Sequence, residues 1–452
     1  MSTKLDWTIE AEQEQVPSKG EDPGSRRARR KRQFRLLLVI VAAALLVGGV
    51  VAVVTVRLRY VDWQVETLLR DTIAAEVASL RLGDRETFLT IQRSADSVWM
   101  DAQTVLFDEV QALKQEQDVA FTGRILDVAV DEPRARVRVE EVISGTPYAR
   151  TWFYWRYEDG WRHVPPDYTF WGADRTLERP GLNVAYQAFD EPFANSLADQ
   201  SATWLGQGCA VLGCEGLPSI RAEVMPDDSL QVGWSPEDQW TLLVPSPYVG
   251  ASRVDSPFDA ALQVQVARLL AGRLVDVAHG GEVLAKGSDA AWLRDAATEW
   301  LLGRLLGADT GARLISSFAA RYGDSAAAQV VRGIAADSTV LLLADTAGTT
   351  LDALEVDWAD FLKSRLMLED ILIGEGDAAA VQALYDSQDP TAQGLAAARM
   401  TAPLAADPPD VLGVEPATDA AGASILRAQV RRGDRIEEVV FRLSEGTWKR
   451  VS

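Results

Sequence analysis

Histidine occurs twice in the 452 residues, as His163 and His279, and cysteine twice, as Cys209 and Cys214. That scarcity excludes most centres that a sequence can declare. A structural zinc site wants four Cys/His ligands, and a catalytic one wants three protein ligands around an open water position. A Ser-His-Asp arrangement would have to use His163 or His279, and nothing singles out a serine for either. Neither a phosphate-binding Gly-Lys loop nor a Gly-x-Ser-x-Gly elbow occurs. Positive charge is also short: the formal net charge is −21, a balance that repels nucleic acid and anionic surfaces.

What is present is material for folded domains. A composition of 47% hydrophobic and 25% charged residues is normal for globular folds with real cores, and the length suggests about three domains. Residues 1–35 are the exception. They are polar, punctuated by Pro and Gly, and nearly free of large apolar side chains after Trp7 and Ile9, so a disordered cytoplasmic tail is expected there.

Residues 36–56, "LLLVIVAAALLVGGVVAVVTV", carry no charge. At about 1.5 Å per residue they span roughly the 30 Å of a bilayer core. A buried core helix would show polar positions, and a signal peptide a shorter apolar run with a small-x-small cleavage site. The segment is therefore expected to be an uncleaved transmembrane helix. Seven basic residues in "RRARRKRQFR" precede it, which by the positive-inside rule places the N-terminus in the cytoplasm and the bulk beyond Val56 outside. The tail holds nine basic and six acidic residues, so the exterior portion carries −24. In an extracytoplasmic compartment the closely spaced Cys209 and Cys214, each preceded by Gly, are expected to form a disulfide.

Beyond the span the sequence repeats itself weakly. A helical pattern through Leu68, Leu69, Ile73, Val77 and Leu80 breaks at Gly83-Asp84 and resumes with Phe88, Leu89 and Ile91. A second pattern breaks in the same way at Gly376-Asp377. Gly suits the end of one helix and Asp the N-cap of the next. Each copy closes in strands with period-two alternation, "RARVRVEEV" and "EEVVFRL", and in a turn before tryptophan and basic residues, Gly160-Trp161-Arg162 and Gly446-Thr447-Trp448-Lys449-Arg450. The run Trp152, Phe153, Tyr154, Trp155 and Tyr157 alternates across two faces of a strand, as core packing or as a pocket wall. His163, near a strand end and ahead of Pro165-Pro166, is expected at the surface or an edge, where no partner is apparent to make it a base.

This order, helix, Gly-Asp break, helix and long antiparallel strands, resembles the NTF2-like (cystatin-like α+β cone) superfamily over residues 60–172 and again over 357–452. The resemblance implies a curved sheet wrapped around a helix, used for binding, for oligomerisation or in small enzymes.

Between the copies, residues 180–345 contain a long helical pattern through Leu262, Val266, Leu269, Leu270 and Leu274, followed by "AAWLRDAATEWLLG". The pairing resembles gluzincin-type (peptidase MA-like) metallopeptidases. In that family the first helix carries His-Glu-x-x-His and the second a Trp-Leu-x-Glu-Gly-x-Ala pattern whose glutamate binds zinc. Trp292 and Leu293 match, Asp295 stands at the glutamate position and Ala296 at the glycine. The first helix departs completely: "DAALQVQVARLLAGRLVDVAHGG" holds no His-Glu pair, so two ligands and the general base are missing. The resemblance thus implies a degenerate module. Asp295 and Glu299 are expected on its solvent face, Trp292, Leu293, Trp300 and Leu301 on its buried face, and His279 at a helix end.

The expectation is an α+β, single-pass membrane protein with a cone, a mostly helical peptidase-like module and a second cone. No catalytic, metal or cofactor residue is nominated. Its expected role is noncatalytic binding of a protein or small-molecule ligand, or scaffolding, at the outer membrane face and without nucleic acid. A metallopeptidase-like hydrolase with an unrecognised site is the alternative.

Overall fold

The computed structural model describes residues 23–213, 215–402 and 407–452 and is a mixture of helix and sheet, 49% and 25%. It opens with one long helix, α1 (Pro23–Leu82). Helix is present from Pro23, so the tail expected to lack structure up to residue 35 is helical over its last part. Arg, Ala, Lys and Gln dominate there, residues that lose little freedom in a helix, and proline is tolerated at a first turn. Ile40–Arg57 of α1 is long and apolar enough to cross a membrane, and none of it is buried against the rest of the chain.

The far end of α1 becomes the spine of the first module. Val65, Leu69, Ile73, Val77 and Leu80 are buried at helical spacing, whereas Leu68, expected in this stripe, is exposed. Gly83, at φ 76°, ends the helix, and Asp84 accepts from the Thr87 amide to start α2 (Arg85–Ile91). α3 (Ser97–Glu116) follows, then the antiparallel strands β1 (Val119–Asp131), β2 (Arg134–Ile143), β3 (Thr146–Tyr157) and β4 (Gly160–Val164). Phe88, Phe107, Phe121, Val137, Trp152, Tyr154 and Trp161 join the α1 stripe in a core belonging to this module alone.

The middle region begins with a sheet. Five strands, β5 (Asp174–Arg179), β6 (Leu182–Gln187), β7 (Ile220–Met225), β8 (Gly233–Trp234) and β9 (Thr241–Pro245), lie in the order β5-β6-β7-β9-β8. The inner pairs are parallel and the outer ones antiparallel, with α4 (Glu191–Leu212) crossing from β6 to β7. The sheet stands beside the helices expected for this region: its strands are short and lie between Asp-, Gly- and Pro-rich loops, so no long alternating run announces them. β10 (Ser252–Arg253) returns to pair with β3, and Trp171 is buried in the core of the middle region, so the first boundary is stitched across.

The helices α5 (Ala260–Ala278), α6 (Asp289–Leu306), α7 (Arg313–Tyr322), α8 (Asp324–Arg332) and α9 (Leu341–Ala347) complete this region. α4 approaches α5 closely at Gly208, where a Cβ would stand 2.4 Å from Leu274 Cδ1.

The last module repeats the first in outline: α10 (Ala359–Glu375), the break at Gly376 with φ 75°, α11 (Ala378–Ala383) capped by Asp377, α12 (Pro390–Thr401), and the antiparallel β11 (Asp410–Thr418), β12 (Ser424–Arg432), β13 (Arg435–Ser444) and β14 (Thr447–Arg450). Its packing differs. Leu426, Ala428, Val439, Phe441 and Trp448 belong to the same apolar core as the middle helices, and only a small cluster around Val381, Tyr385, Ala392 and Ala396 is separate.

Candidate functional site

Three places gather polar side chains with chemical capacity. The first lies inside the first module. Position 76 falls on the inner face of α1, so the Glu76 carboxylate is completely buried and must be partnered to be tolerated. It is: Oε2 accepts from the Tyr154 hydroxyl at 2.8 Å, and Oε1 accepts from Gln92 Nε2 at 2.9 Å and lies 2.6 Å from His163 Nδ1. Tyr154 and His163 are cross-strand neighbours and so point to the same face. Burial, reinforced by the charge of Glu76, pushes the Tyr154 phenol well above its ordinary pKa, so the tyrosine is held as a donor.

His163 is only 4% exposed and sits among the rings of Trp99, Trp152 and Tyr154, at centroid distances of 5.2–5.6 Å. The surface placement expected for it is wrong. Strand alternation turns Trp161 and His163 inward together, and the partner that explains the burial is 87 residues away on α1. Trp155, on the opposite face of β3 from Tyr154, is 42% exposed and is neither core nor a wall of this interior.

The second place is its counterpart in the last module. Glu369 lies seven residues before Gly376, as Glu76 lies seven before Gly83. Its carboxylate receives Arg450 Nη1 at 2.9 and 2.7 Å and Arg399 Nε at 3.0 Å. Burial works against the charge, but the two guanidinium groups outweigh it and hold the Glu369 pKa below its usual value. Arg450 stands where His163 does. Both make a parallel bridge with the residue nine after the glycine, Gln92 and Tyr385, and both offer a carbonyl to the next amide, from Arg93 at 2.8 Å and from Asp386 at 3.1 Å.

The third place is a cleft of about 420 Å³ between α5 and α6, with Trp234 of β8 at its side. Arg294 spans it, donating to both carboxylate oxygens of Asp276 at 2.8 and 3.0 Å and to Asp295 at 2.9 Å. Against the effect of burial, hydrogen bonds from His279 and Arg294 lower the Asp276 pKa to about 2. Arg273 stacks over Trp234 at 4.5 Å and Trp240 at 5.2 Å. Glu299 is tied to Arg268 at 3.0 Å. The Asp295 side chain is 70% exposed. His279 caps α5 through its amide, bonded to the Val275 carbonyl at 3.1 Å, while its ring is buried with Nε2 3.5 Å from Asp276.

These residues do not fit a zinc ion. Arg294 already takes both oxygens of Asp276 and one of Asp295, and Arg268 takes Glu299, so every carboxylate lining the cleft is engaged by a guanidinium that a dication would have to displace. Among the described residues no group of three or more His, Cys, Asp or Glu side chains is placed to hold a metal.

Leu293, Trp300 and Leu301 are buried as expected. Trp292 is only half-buried: it lies edge-on to Phe361 of α10, centroids 4.9 Å apart, lining a groove of about 380 Å³ shared by α6 and α10. Asp295 borders both this groove and the Arg294 cleft. His163 and Trp155 belong to the other end of the molecule. Cys209, in the last turn of α4, is disulfide-bonded; Cys214, its expected partner, lies outside the described residues. Sequence reasoning missed Glu76, Gln92, Glu369 and the Arg294–Asp276 pair, and placed Tyr154 only within an aromatic run. The one available signal was the glutamate standing at the same distance before both glycine breaks.

No family model matches this chain, and comparison with curated proteins finds no match.

Proposed function

We propose that the chain is a noncatalytic, single-pass membrane protein whose bulk lies outside the cytoplasm and binds or scaffolds a protein or small-molecule ligand. In this reading the first and last modules are NTF2-like cones, and the middle region is a peptidase MA-like module without its catalytic centre. The observation that carries the reading is Arg294. Its guanidinium takes both oxygens of Asp276 and leans on Asp295, the residue at the position where the resemblance calls for a zinc-binding glutamate. A Lewis-acid site needs anionic and imidazole donors around an open position, and here an arginine, a group that cannot be deprotonated, occupies the carboxylates.

The repeated acid supports the same reading. Arg450 takes the place of His163 in the second copy, and arginine cannot act as a base. The position therefore serves in both copies to fasten the closing strand to the helix. The basic flank before Leu36 supports the orientation.

The test uses the full chain in lipid nanodiscs, with metal content measured by mass spectrometry and hydrolysis of a mixed peptide library followed in parallel. The expected result is substoichiometric zinc and no turnover. Stoichiometric zinc lost on Asp295→Ala, together with peptide cleavage, would replace this reading with the hydrolase. A reporter fused after Ser452 is expected to be active only when exported, and cytoplasmic activity would reverse the orientation.

A further inference from the structure

We infer that the cleft between α5 and α6 binds a small aromatic monocarboxylate, with Arg273 taking the carboxylate and Trp234 forming the wall on which the ring lies. The inference rests on the middle region being a binding module without a catalytic metal, and it names the ligand class of that module.

Two facing helix stripes and a hairpin build the cleft. Arg268, Gly272 and Asp276 follow one another at four-residue steps along α5, with Leu269 and Arg273 beside them, and that spacing puts all five on one face. Arg294, Thr298 and Glu299 face them from α6. Gly272 lets the two helices close, since a Cβ there would stand 3.3 Å from Arg294 Nη2. In the hairpin of β8 and β9, Trp234 pairs with Leu242, and Asp238 fixes the turn by accepting from the Trp240 amide at 3.0 Å. Both indoles are thereby presented to α5.

Charge inside the cleft is paired except at one place. Arg294 takes Asp276 and Asp295, and Arg268 takes Glu299. Among the described residues Arg273 has neither a carboxylate partner nor a hydrogen-bond acceptor, and its Nε is buried. The guanidinium lies instead 4.5 Å from the ring centre of Trp234 and 5.2 Å from that of Trp240. Burial outweighs the charge of Asp276 and lowers the Arg273 pKa from its ordinary value. A guanidinium packed against indole keeps its N–H groups in its own plane, as a fork that matches a carboxylate.

The neighbours set the ligand class. One guanidinium without a partner calls for one anion, and Asp276, Asp295 and Glu299 in the same cleft repel a second negative charge, so a monocarboxylate fits better than a phosphate. The volume of about 420 Å³ is that of a small-molecule site. Trp234 and Leu269 supply the aromatic and apolar surface for a ring.

The experiment titrates the full chain in lipid nanodiscs with para-fluorobenzoate, read by fluorine NMR against empty nanodiscs. It is repeated with the neutral para-fluorobenzamide, with inorganic phosphate as competitor, and with EDTA. Saturable binding of the benzoate is expected, about tenfold or more tighter than that of the amide and undisturbed by phosphate or EDTA. Arg273→Gln is expected to weaken the benzoate about tenfold or more and to leave the amide unchanged, with Arg273→Lys, which keeps the charge and loses the fork, falling between. Thermal unfolding checks that each variant keeps its fold; where Arg273→Gln does not, Arg273→Lys decides. Equal affinity for benzoate and benzamide, parent-like affinity in either folded variant, displacement by equimolar phosphate, or no saturable binding up to about 10 mM would overturn the inference and leave the noncatalytic reading standing. Binding that EDTA abolishes would put the probe on a metal and defeat both.

Discussion

Glu76 and Glu369 enter their modules at the same point of the same frame, seven residues or about two helical turns ahead of a left-handed glycine, yet they meet opposite partners. In the first module the acid is satisfied by a phenol, an amide and an imidazole. In the last it is satisfied by two guanidinium groups. The difference follows from what surrounds each acid. The first module owns a closed apolar core packed around its acid, whereas the last gives its sheet to the middle helices and holds its own helices to that sheet through ion pairs, among them Arg432–Asp370 at 2.6 Å and Arg442–Asp386 at 3.1 Å. The comparison teaches that the frame requires a buried carboxylate joining helix to closing strand and leaves the identity of the cation or donor open.

The largest effects should fall on these acids. Glu369→Ala strands the buried guanidinium of Arg450 and is expected to cost about 3–5 kcal/mol in urea unfolding of the full chain. Glu76→Ala leaves the Tyr154 hydroxyl and the Gln92 amide unpaired and should cost about 1–3 kcal/mol. Equal losses, or a larger one at Glu76, would break the contrast between a fastening by two guanidinium groups and one by a phenol, an amide and an imidazole.

The seams differ as well. Asp289 joins the last module to the middle helices through Arg365 and Thr447. Asp190, between the first module and the middle sheet, is held by Trp171 Nε1 at 2.8 Å and by the Ser246 hydroxyl, and burial raises its pKa from 3.8 to about 6. A carboxyl raised in the folded state stabilises fully below pH 3.8, and its contribution is lost as pH rises through about 6. Asp190→Asn removes that titration. Its Tm relative to the parent chain is therefore expected to climb between pH 4 and 7, by the equivalent of up to roughly 3 kcal/mol. A difference that stays flat with pH would show that this seam does not titrate.

A smaller effect separates the two expected faces of α6. Trp292→Ala should cost about 2 kcal/mol, less than a fully buried tryptophan would, because only part of its ring is covered. Asp295→Ala should change thermal stability by about 0.5 kcal/mol or less, since the Asp295 side chain is mostly exposed and its partner Arg294 keeps its grip on Asp276.

Much of the frame was legible. Gly83-Asp84 and Gly376-Asp377 declared both helix breaks because only a left-handed residue followed by an N-cap makes that local geometry, and "RARVRVEEV" declared β2 through its period. The five-stranded sheet was not legible, because its strands are short and owe their place to parallel partners brought in by α4. His163 was misplaced because the position of a residue on a strand tells which face it shares with Trp161 but not which face is covered. Trp155 illustrates the same limit from the other side of the sheet.

Local chemistry in the sequence was enough to determine the apolar stretch in α1, the repeated helix-break-helix order, the absence of a His-Glu-x-x-His helix and the half-buried strands, because each depends on neighbours within a few residues. Tertiary structure alone decided that Glu76 and His163 meet across 87 residues, that Arg294 chelates Asp276, and that the last sheet shares the middle core. Those outcomes depend on which faces become buried against each other, and the cost of burying a charge selects its partner only once the chain has closed around it.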